Sequence, residues 1–299
     1  MRIERIYEWK PGSEWTGRDP QPFDPTVKGR DVKRVAHLSD THLGKEGEAG
    51  RRRDLRQWCE SLEHLQVDVV VHTGDVVESP EDEEAVAQGM EILKGLSVPV
   101  VGVQGNHDVA VPGETSAVGR YFGACPEARE AGGILFWRLD SMAAPAVEER
   151  SQRERQLGAA EGFYSTGALG DEQLARLDAL LESEPRRPIE IAVVHHHLRQ
   201  PVPAKPWYEA NADLMAPLLD GSALVERLRA REVELLLHGH RHQYVAPYQP
   251  YPDLAVLNGG SSTGPASPQR IRLIDIKASG GLYRVWEVAR YRSNRKIWG

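Results

Sequence analysis

The chain has 299 residues, of which 40% are hydrophobic and 27% are charged, and its net charge is −7. That composition is ordinary for a globular protein, and the acidic balance does not indicate a long nucleic-acid-binding surface. The two cysteines, Cys59 and Cys125, lie far apart, which argues against a disulfide scaffold and a thiolate zinc site. Apolar runs are too short to span a bilayer and residues 1–5 do not resemble a secretory signal, so we expect a cytoplasmic protein without a membrane partner.

The pattern of apolar residues changes at residue 32. Residues 1–31, which carry Trp9 and Trp15, show no sustained periodicity, and we interpret them as an ordered or semi-ordered arm. Residues 32–299 are expected to form one domain, in which short β-type runs alternate with helical patterns. The first half of the domain predicts strands at 32–38, 67–71, 98–103 and 134–139, and helices at 52–65 and 81–95.

The second half begins with a charged stretch at 145–170 that we interpret as a surface insertion. Asp171 is expected to cap a helix, and residues 198–219 to form a long irregular loop. The apolar pattern predicts helices at 172–183 and 222–231, and strands at 189–194, 233–237, 254–257, 271–276 and 282–288. This order indicates an α/β domain with a mostly parallel sheet and a second, more antiparallel sheet late in the chain.

Acidic, histidine and asparagine side chains follow five of the predicted strands. The five blocks are Asp40-Thr41-His42, Gly74-Asp75, Gly105-Asn106-His107-Asp108, His195-His196-His197 and Gly239-His240-Arg241-His242. Open α/β sheets place their functional sites beyond the carboxyl ends of their strands. Each block alone has an ordinary explanation as a turn or a surface histidine. Their repeated position at strand ends predicts a common site.

Imidazole and carboxylate ligands together suit Mn, Fe, Co or Zn. A carboxylate between two such ions can bridge them, and two ions can hold the attacking and leaving oxygens of a displacement at phosphorus while lowering the pKa of a shared water. A neutral asparagine oxygen adds a ligand without adding negative charge beside an anionic substrate. A histidine oriented by an aspartate can protonate the leaving group. The residue types therefore indicate a two-metal site that hydrolyses a phosphate ester.

In this order the five blocks resemble the signature of the calcineurin-like metallophosphoesterase family. The resemblance covers residues 40–242, about two-thirds of the chain. It implies an α/β fold that is a four-layer α/β/β/α sandwich of two mixed β-sheets, which agrees with the predicted strands. The blocks are also similar to those of the family branch that contains bacterial cyclic-nucleotide phosphodiesterases.

The resemblance implies a role for each matching residue. Seven of them become metal ligands: a first metal is held by Asp40, His42 and His242, a second by Asn106, His195 and His240, and Asp75 is the carboxylate that bridges the two. His107 becomes the substrate-facing acid, with Asp108 as its orienting partner. His195 is preferred to His196 as a ligand because the family uses the first histidine after the strand. His196 is expected to contact substrate, together with Trp207 in the 198–219 loop.

The expected function is metal-dependent hydrolysis of a small phosphodiester, such as a cyclic nucleotide or glycerophosphodiester, by attack of a metal-bridging hydroxide. Two divalent or trivalent ions are expected as cofactors, Mn or Fe first, with Zn or Co as alternatives. A nuclease acting on DNA or RNA and a phosphomonoesterase stay open as other functions, as does a homodimer. A non-catalytic scaffold is disfavoured because every ligand of the signature is present. Glu78 is expected to be a solvated helix-start residue, and Arg51 to lie on a solvated helix face unless it meets substrate phosphate.

Overall fold

The computed structural model describes residues 2–18, 28–44, 48–144, 166–198, 217–242, 246–263, 269–281 and 283–290. The strands are β1 (Arg2–Trp9), β2 (Thr16–Arg18), β3 (Val32–Leu38), β4 (Val69–His72), β5 (Val100–Gly102), β6 (Glu127–Ala131), β7 (Ile134–Arg138), β8 (Glu190–Val193), β9 (Leu235–His238), β10 (Tyr248–Tyr251), β11 (Leu254–Asn258), β12 (Gln269–Lys277) and β13 (Tyr283–Arg290). The helices are α1 (Glu48–Glu63), α2 (Glu83–Lys94), α3 (Ala117–Phe122), α4 (Gly170–Ser183) and α5 (Gly221–Ala230). In these ranges, no helix is long and apolar enough to cross a membrane.

The strands form two mixed sheets. The first has the order β2-β1-β13-β12-β3-β4-β5, in which β3, β4 and β5 are parallel and the other neighbours pair antiparallel. The second has the order β10-β11-β9-β8-β7-β6, with a parallel centre and an antiparallel strand at each edge. The prediction of an α/β fold with two mixed sheets is confirmed.

Strand alternation divides the core into three apolar layers. On β4, Val69 and Val71 point into the layer between the two sheets, whereas Val70 points toward the helices that cover the first sheet. Helices α1, α2 and α3 pack on that outer face, and α4 and α5 pack on the outer face of the second sheet. The central strands are therefore buried on both faces, which explains their continuous apolar sequences. The result is the expected four-layer α/β/β/α sandwich.

The predicted N-terminal arm, residues 1–31, is in its described part an edge of the first sheet rather than a segment separate from the domain. Strand β1 pairs antiparallel with β13, with an irregularity between Ile3 and Arg5, and β2 pairs with β1. Trp9 is buried, and its ring lies 5.8 Å from that of Trp15 and 5.3 Å from that of Tyr283. The partner strand lies at the other end of the chain, so no local pattern in the sequence reveals this pairing.

Other elements differ from their predictions in detail. Helix α4 starts at Gly170, and Asp171 lies in its first turn rather than at its cap. The carboxylate of Asp220 instead accepts hydrogen bonds from the backbone N–H groups of Leu169 and Gly170. Strands β6 and β10 and helix α3 were not expected from the sequence. Most of the predicted insertion at 145–170 and of the loop at 198–219 lies outside the described residues.

Candidate metal centre

The five blocks of polar residues meet where the two sheets come together at the carboxyl ends of β3, β4, β5, β8 and β9. Hydrogen bonds join the loops across the sheets. The backbone N–H of His240 donates to the Asp40 carboxylate at 3.0 Å, and Nδ1 of His195 lies 2.6 Å from the carbonyl oxygen of Thr73. Side chains from both sheets thus share one site, as the sequence predicts.

The backbone of this site is strained. Seven non-glycine residues in the described part of the chain have a positive φ, and five of them are Asp40 (52°), His42 (45°), Asp75 (54°), His240 (67°) and His242 (31°). Such conformations cost about 1–3 kcal/mol each and persist only where surrounding contacts fix them. Their concentration at one place is typical of a functional site.

Two glycines of the blocks allow the loops to approach closely. A Cβ atom on Gly105 would overlap the Asp75 carboxylate, and one on Gly239 would overlap the Ser39 hydroxyl. Larger residues at either position would push apart the loops that carry the candidate ligands. Steric crowding therefore explains why glycine occupies these positions in the Gly-Asn-His-Asp and Gly-His-Arg-His blocks.

The first cluster of candidate ligands contains Asp40, His42, Asp75 and His242. Nε2 of His42 lies 2.8 Å from Nε2 of His242 and 3.7 Å from Oδ2 of Asp75. Nε2 of His242 lies 3.3 Å from Oδ1 of Asp40. These are the four residues that the resemblance assigns to the first metal.

The second cluster contains Asp75, His195 and His240, with Asn106 between the two histidines. Oδ1 of Asn106 lies 3.0 Å from both Nε2 of His195 and Nδ1 of His240. Oδ2 of Asp75 lies 3.3 Å from Nε2 of His195. Asp75 therefore belongs to both clusters, as expected of a bridging carboxylate.

The donor atoms of these clusters fit metal ions. Because a carbonyl and a carboxylate only accept hydrogen bonds, His195 Nδ1 carries a hydrogen toward Thr73, and His42 Nδ1 carries one toward Glu78 at 2.8 Å. In the neutral rings, each Nε2 then presents a lone pair to the shared Asp75 carboxylate. Within the described residues, Oδ2 of Asp75 is buried without a hydrogen-bond partner. Lone pairs that face one another around a buried carboxylate are the arrangement that cations satisfy.

The protonation of the clusters reflects this concentration of negative charge. Burial opposes a charge on His195, but the Asp75 and Asp40 carboxylates outweigh it and raise the pKa of His195 to about 9. Burial also opposes ionisation of Asp75, yet His195, His42 and His107 together hold the pKa of this carboxyl well below its usual value. A proton and a metal ion compete for the His195 lone pair, because ligands must be deprotonated to bind metal.

His107 lies beside the clusters, with its ring edge-on to that of His42 at 4.8 Å between centroids. Its Nδ1 lies 3.0 Å from the carbonyl oxygen of Glu78, so that nitrogen donates. The prediction that Asp108 orients His107 was wrong. Asp108 instead accepts hydrogen bonds from the backbone N–H groups of Val76, Val77 and Gly105, and so ties together the loops after β4 and β5.

Glu78 lies at the site, whereas the sequence favoured a solvated helix-start glutamate over a place near the cluster. Its carboxylate lies 2.8 Å from Nδ1 of His42, and its side chain is 28% exposed rather than solvated. A parallel bridge between Leu43 and Val77 sets the residue next to the His42 loop. The one signal in the sequence was its place three residues after Asp75, near the end of the same loop.

The remaining predicted residues have different surroundings. His196 is buried, with Nδ1 2.7 Å from the Ser141 hydroxyl and its ring 4.3 Å from that of His240. Its predicted contact with substrate stays a prediction, and Trp207 lies outside the described residues. Arg51 is buried rather than solvated, and its guanidinium lies 3.4 Å from the carbonyl oxygen of Thr41. Thr41 is the residue between the candidate ligands Asp40 and His42 in the sequence.

A sequence model of the calcineurin-like phosphoesterases matches residues 33–244, which is most of the chain. The chain belongs to this family. As a calcineurin-like phosphoesterase, it is a hydrolase of phosphoric esters with a metal-binding site, which confirms the family and the enzyme class predicted from the sequence. None of the curated proteins compared with the chain matches it.

Several solved structures share the fold of this phosphoesterase. A dimetal phosphatase from Danio rerio is 16% identical, with a TM-score of 0.60 over 81% of this chain and 92% of that chain. A purple acid phosphatase from yellow lupin (Lupinus luteus) seeds is 15% identical, with a TM-score of 0.54 over 93% of this chain and 57% of that chain. A protein from Thermus thermophilus is 12% identical, with a TM-score of 0.54 over 87% of this chain and 99% of that chain. At these identities the likeness shows the fold.

Proposed function

We propose that this phosphoesterase is a phosphodiesterase that hydrolyses a small phosphodiester, and that its two metal ions are held by the two clusters that share Asp75. The observation that carries the proposal is the complete double cluster with His107 fixed beside it. The proposed ligands are Asp40, His42, Asp75 and His242 for one ion, and Asp75, Asn106, His195 and His240 for the other.

Charge balance supports a diester over a monoester. The proposed ligand set contains two carboxylates, Asp40 and Asp75, while Asn106 and the histidines coordinate as neutral groups. The charge of two divalent ions would exceed that of the two carboxylates by two positive charges. A monoanionic diester and one hydroxide neutralise that excess, whereas a dianionic monoester would leave the site negative. With two divalent ions this balance favours the diester as the substrate, whereas one trivalent ion would raise the excess to three charges and match a dianionic monoester.

The residues have separate tasks in this proposal. When bound, the two ions would lower the pKa of a water and offset charge on the phosphoryl oxygens. Glu78 orients His42 through its carboxylate and His107 through its carbonyl. With Nδ1 of His107 donating to that carbonyl, Nε2 is the nitrogen that can transfer a proton to the leaving alkoxide. The nitrogen and oxygen donors suit Mn or Fe, and also Zn or Co.

The first experiment compares two chromogenic esters. Protein reconstituted with Mn is expected to hydrolyse bis(p-nitrophenyl) phosphate with a higher kcat/KM than p-nitrophenyl phosphate. A preference for the monoester would contradict the proposal and indicate a phosphomonoesterase. Faster cleavage of oligonucleotides than of cyclic nucleotides, with an affinity that falls steeply with salt, would instead indicate a nuclease. The net charge of −7 favours a small substrate over a nucleic acid. We also propose that the protein is cytoplasmic.

A further inference from the structure

A chain of buried hydrogen bonds runs from the interior of the first sheet to Asp40. Nε2 of His37 lies 3.0 Å from the Thr73 hydroxyl, which lies 2.7 Å from the Ser39 hydroxyl. Ser39 in turn is bonded to Oδ2 of Asp40. All four side chains are fully buried. The chain is therefore cut off from solvent along its length.

The chemistry of the acceptor at one end fixes the direction of every bond. The Asp40 carboxylate only accepts, so the Ser39 hydroxyl donates to it. The Thr73 hydroxyl donates to Ser39, and its single hydrogen is then used. His37 must therefore donate through Nε2–H, which leaves Nδ1 as the bare nitrogen of a neutral ring. Within the described residues, Nδ1 of His37 has no hydrogen-bond partner, as this tautomer allows.

The surroundings keep the His37 ring neutral and leave the hydrogen-bonded side chains little room to rearrange. Burial first, then the charge of Arg272, holds the pKa of His37 well below its usual value. A Cβ atom on Gly259 would lie 2.9 Å from Nε2 of His37. One on Gly239 would lie 3.1 Å from the Thr73 hydroxyl and would overlap that of Ser39.

The chain acts on one oxygen of Asp40. The backbone N–H of His240 donates to both oxygens, at 3.0 Å to Oδ1 and 3.2 Å to Oδ2. Oδ2 also receives the Ser39 hydroxyl, whereas Oδ1 lies 3.3 Å from Nε2 of His242, a proposed ligand of the same metal. We propose that Ser39, Thr73 and His37 are positioning residues that present Asp40 to the first metal through Oδ1. This inference rests on the ligand set of the proposed function. Residues that orient metal ligands typically contribute about 10- to 100-fold to metal affinity.

The first test measures Zn²⁺ binding to metal-free protein in competition with a chromophoric chelator. Ser39→Ala is expected to weaken the binding of one of the two ions about tenfold or more and to leave the other unchanged. Thr73→Val, which removes the donor to Ser39, should weaken the same ion by less. In the double variant the losses should not add, because the two residues act through one bond to Asp40. Ser61→Ala is the matched control, since the Ser61 hydroxyl donates to the Gln57 carbonyl within helix α1, away from the metal clusters.

The second test does not involve metal. In protein with ¹⁵N-labelled histidines, the imidazole nitrogen shifts of His37, assigned with His37→Gln, should show the tautomer protonated at Nε2. The Nδ1–H tautomer at neutral pH would make Nε2 an acceptor, reverse the bond to Thr73 and overturn the proposal.

Asp40→Ala separates the two levels of inference. If it leaves both Zn²⁺ affinities unchanged, the proposed ligand set is wrong and the positioning chain falls with it. If Asp40→Ala weakens one ion while Ser39→Ala weakens neither, the ligand set stands and the positioning role is refuted. Equal weakening of both ions by Ser39→Ala would also refute it, because it would show a general loss of structure.

Discussion

Glu78 holds two histidines of the site by different atoms. Its carboxylate lies 2.8 Å from Nδ1 of His42 as an ion-pair contact, and its backbone carbonyl accepts from Nδ1 of His107. A carboxylate partner makes a metal-binding imidazole more basic and fixes its orientation. The bond to His107 does not depend on the Glu78 side chain. Substitution at Glu78 can therefore separate metal binding from proton transfer.

Glu78→Gln is expected to lower the affinity for one metal ion about tenfold or more, because the partner of His42 loses its charge. The dependence of the rate on the leaving group should stay as in the wild type, since the carbonyl still orients His107. Zn²⁺ competition and a series of aryl phosphodiesters measure the two effects. Glu84→Gln, on the exposed face of α2, is the matched control. Unchanged metal affinity in Glu78→Gln would contradict the role given to the carboxylate.

His107→Ala is expected to keep both metal ions, because the hydrogen bond from residue 107 to Asp75 comes from the backbone N–H. Hydrolysis should slow about 100-fold or more for esters with poor leaving groups, and less for p-nitrophenyl esters, since only an alkoxide needs a proton from the enzyme. Metal analysis and the slope of rate against leaving-group pKa test this. Loss of metal in His107→Ala would show that His107 is a ligand and not an acid.

The candidate ligands were predictable because their place depends on strand ends, which apolar patterns locate. The partners of those ligands were not. Asp108 caps two loops instead of orienting His107, and Glu78 reaches His42 because the loops turn through positive φ at Asp40 and Asp75. The direction of a side chain after such a turn is set by contacts between loops that lie far apart in sequence.

At the scale of elements, strand β4 brings a buried histidine to the site. His72 is its last residue and is fully buried, with Nε2 3.3 Å from the Thr41 hydroxyl and its ring stacked against that of Phe122. Burial disfavours the imidazolium and lowers the pKa of His72 from 6.5 to about 4. Between those two pH values, His72 is therefore protonated in the unfolded chain and neutral in the folded chain.

The contribution of His72 to stability is present above about pH 6.5 and is lost as the pH falls toward about 4. From about pH 7.5 to about pH 5.5, metal-free wild type should lose about 1 kcal/mol more unfolding free energy than His72→Gln. Urea unfolding at both pH values in the presence of chelator measures the difference. His64→Gln, at an exposed position, should behave as the wild type. The same pH dependence in His72→Gln and in the wild type would contradict this account.

Elements were predictable where burial gave them a regular pattern. Strands β4 and β9 are short, buried and apolar, and the sequence located both within two residues. Strand β6, with the sequence Glu-Ala-Arg-Glu-Ala, lies at a sheet edge and lacks such a pattern. Strand β1 alternates weakly, and its place was decided by pairing with β13 at the other end of the chain.

At the scale of the whole molecule, the candidate metal centre lies where the two sheets meet. Asp40, His42, Asp75 and Asn106 follow strands of the first sheet, whereas His195, His240 and His242 follow strands of the second. Asp75 is the residue common to both clusters, and it lies in the loop just past the end of β4. The two-metal proposal therefore depends on Asp75 more than on any other side chain.

The most direct test of the two-metal proposal is to count metal ions per chain in the wild type and in Asp75→Ala, with the rate of bis(p-nitrophenyl) phosphate hydrolysis measured on the same samples. We predict two ions per chain in the wild type, and loss of dinuclear binding together with loss of activity in Asp75→Ala. Full activity in Asp75→Ala, or two ions still bound at wild-type affinity, would contradict a site in which Asp75 bridges two metals.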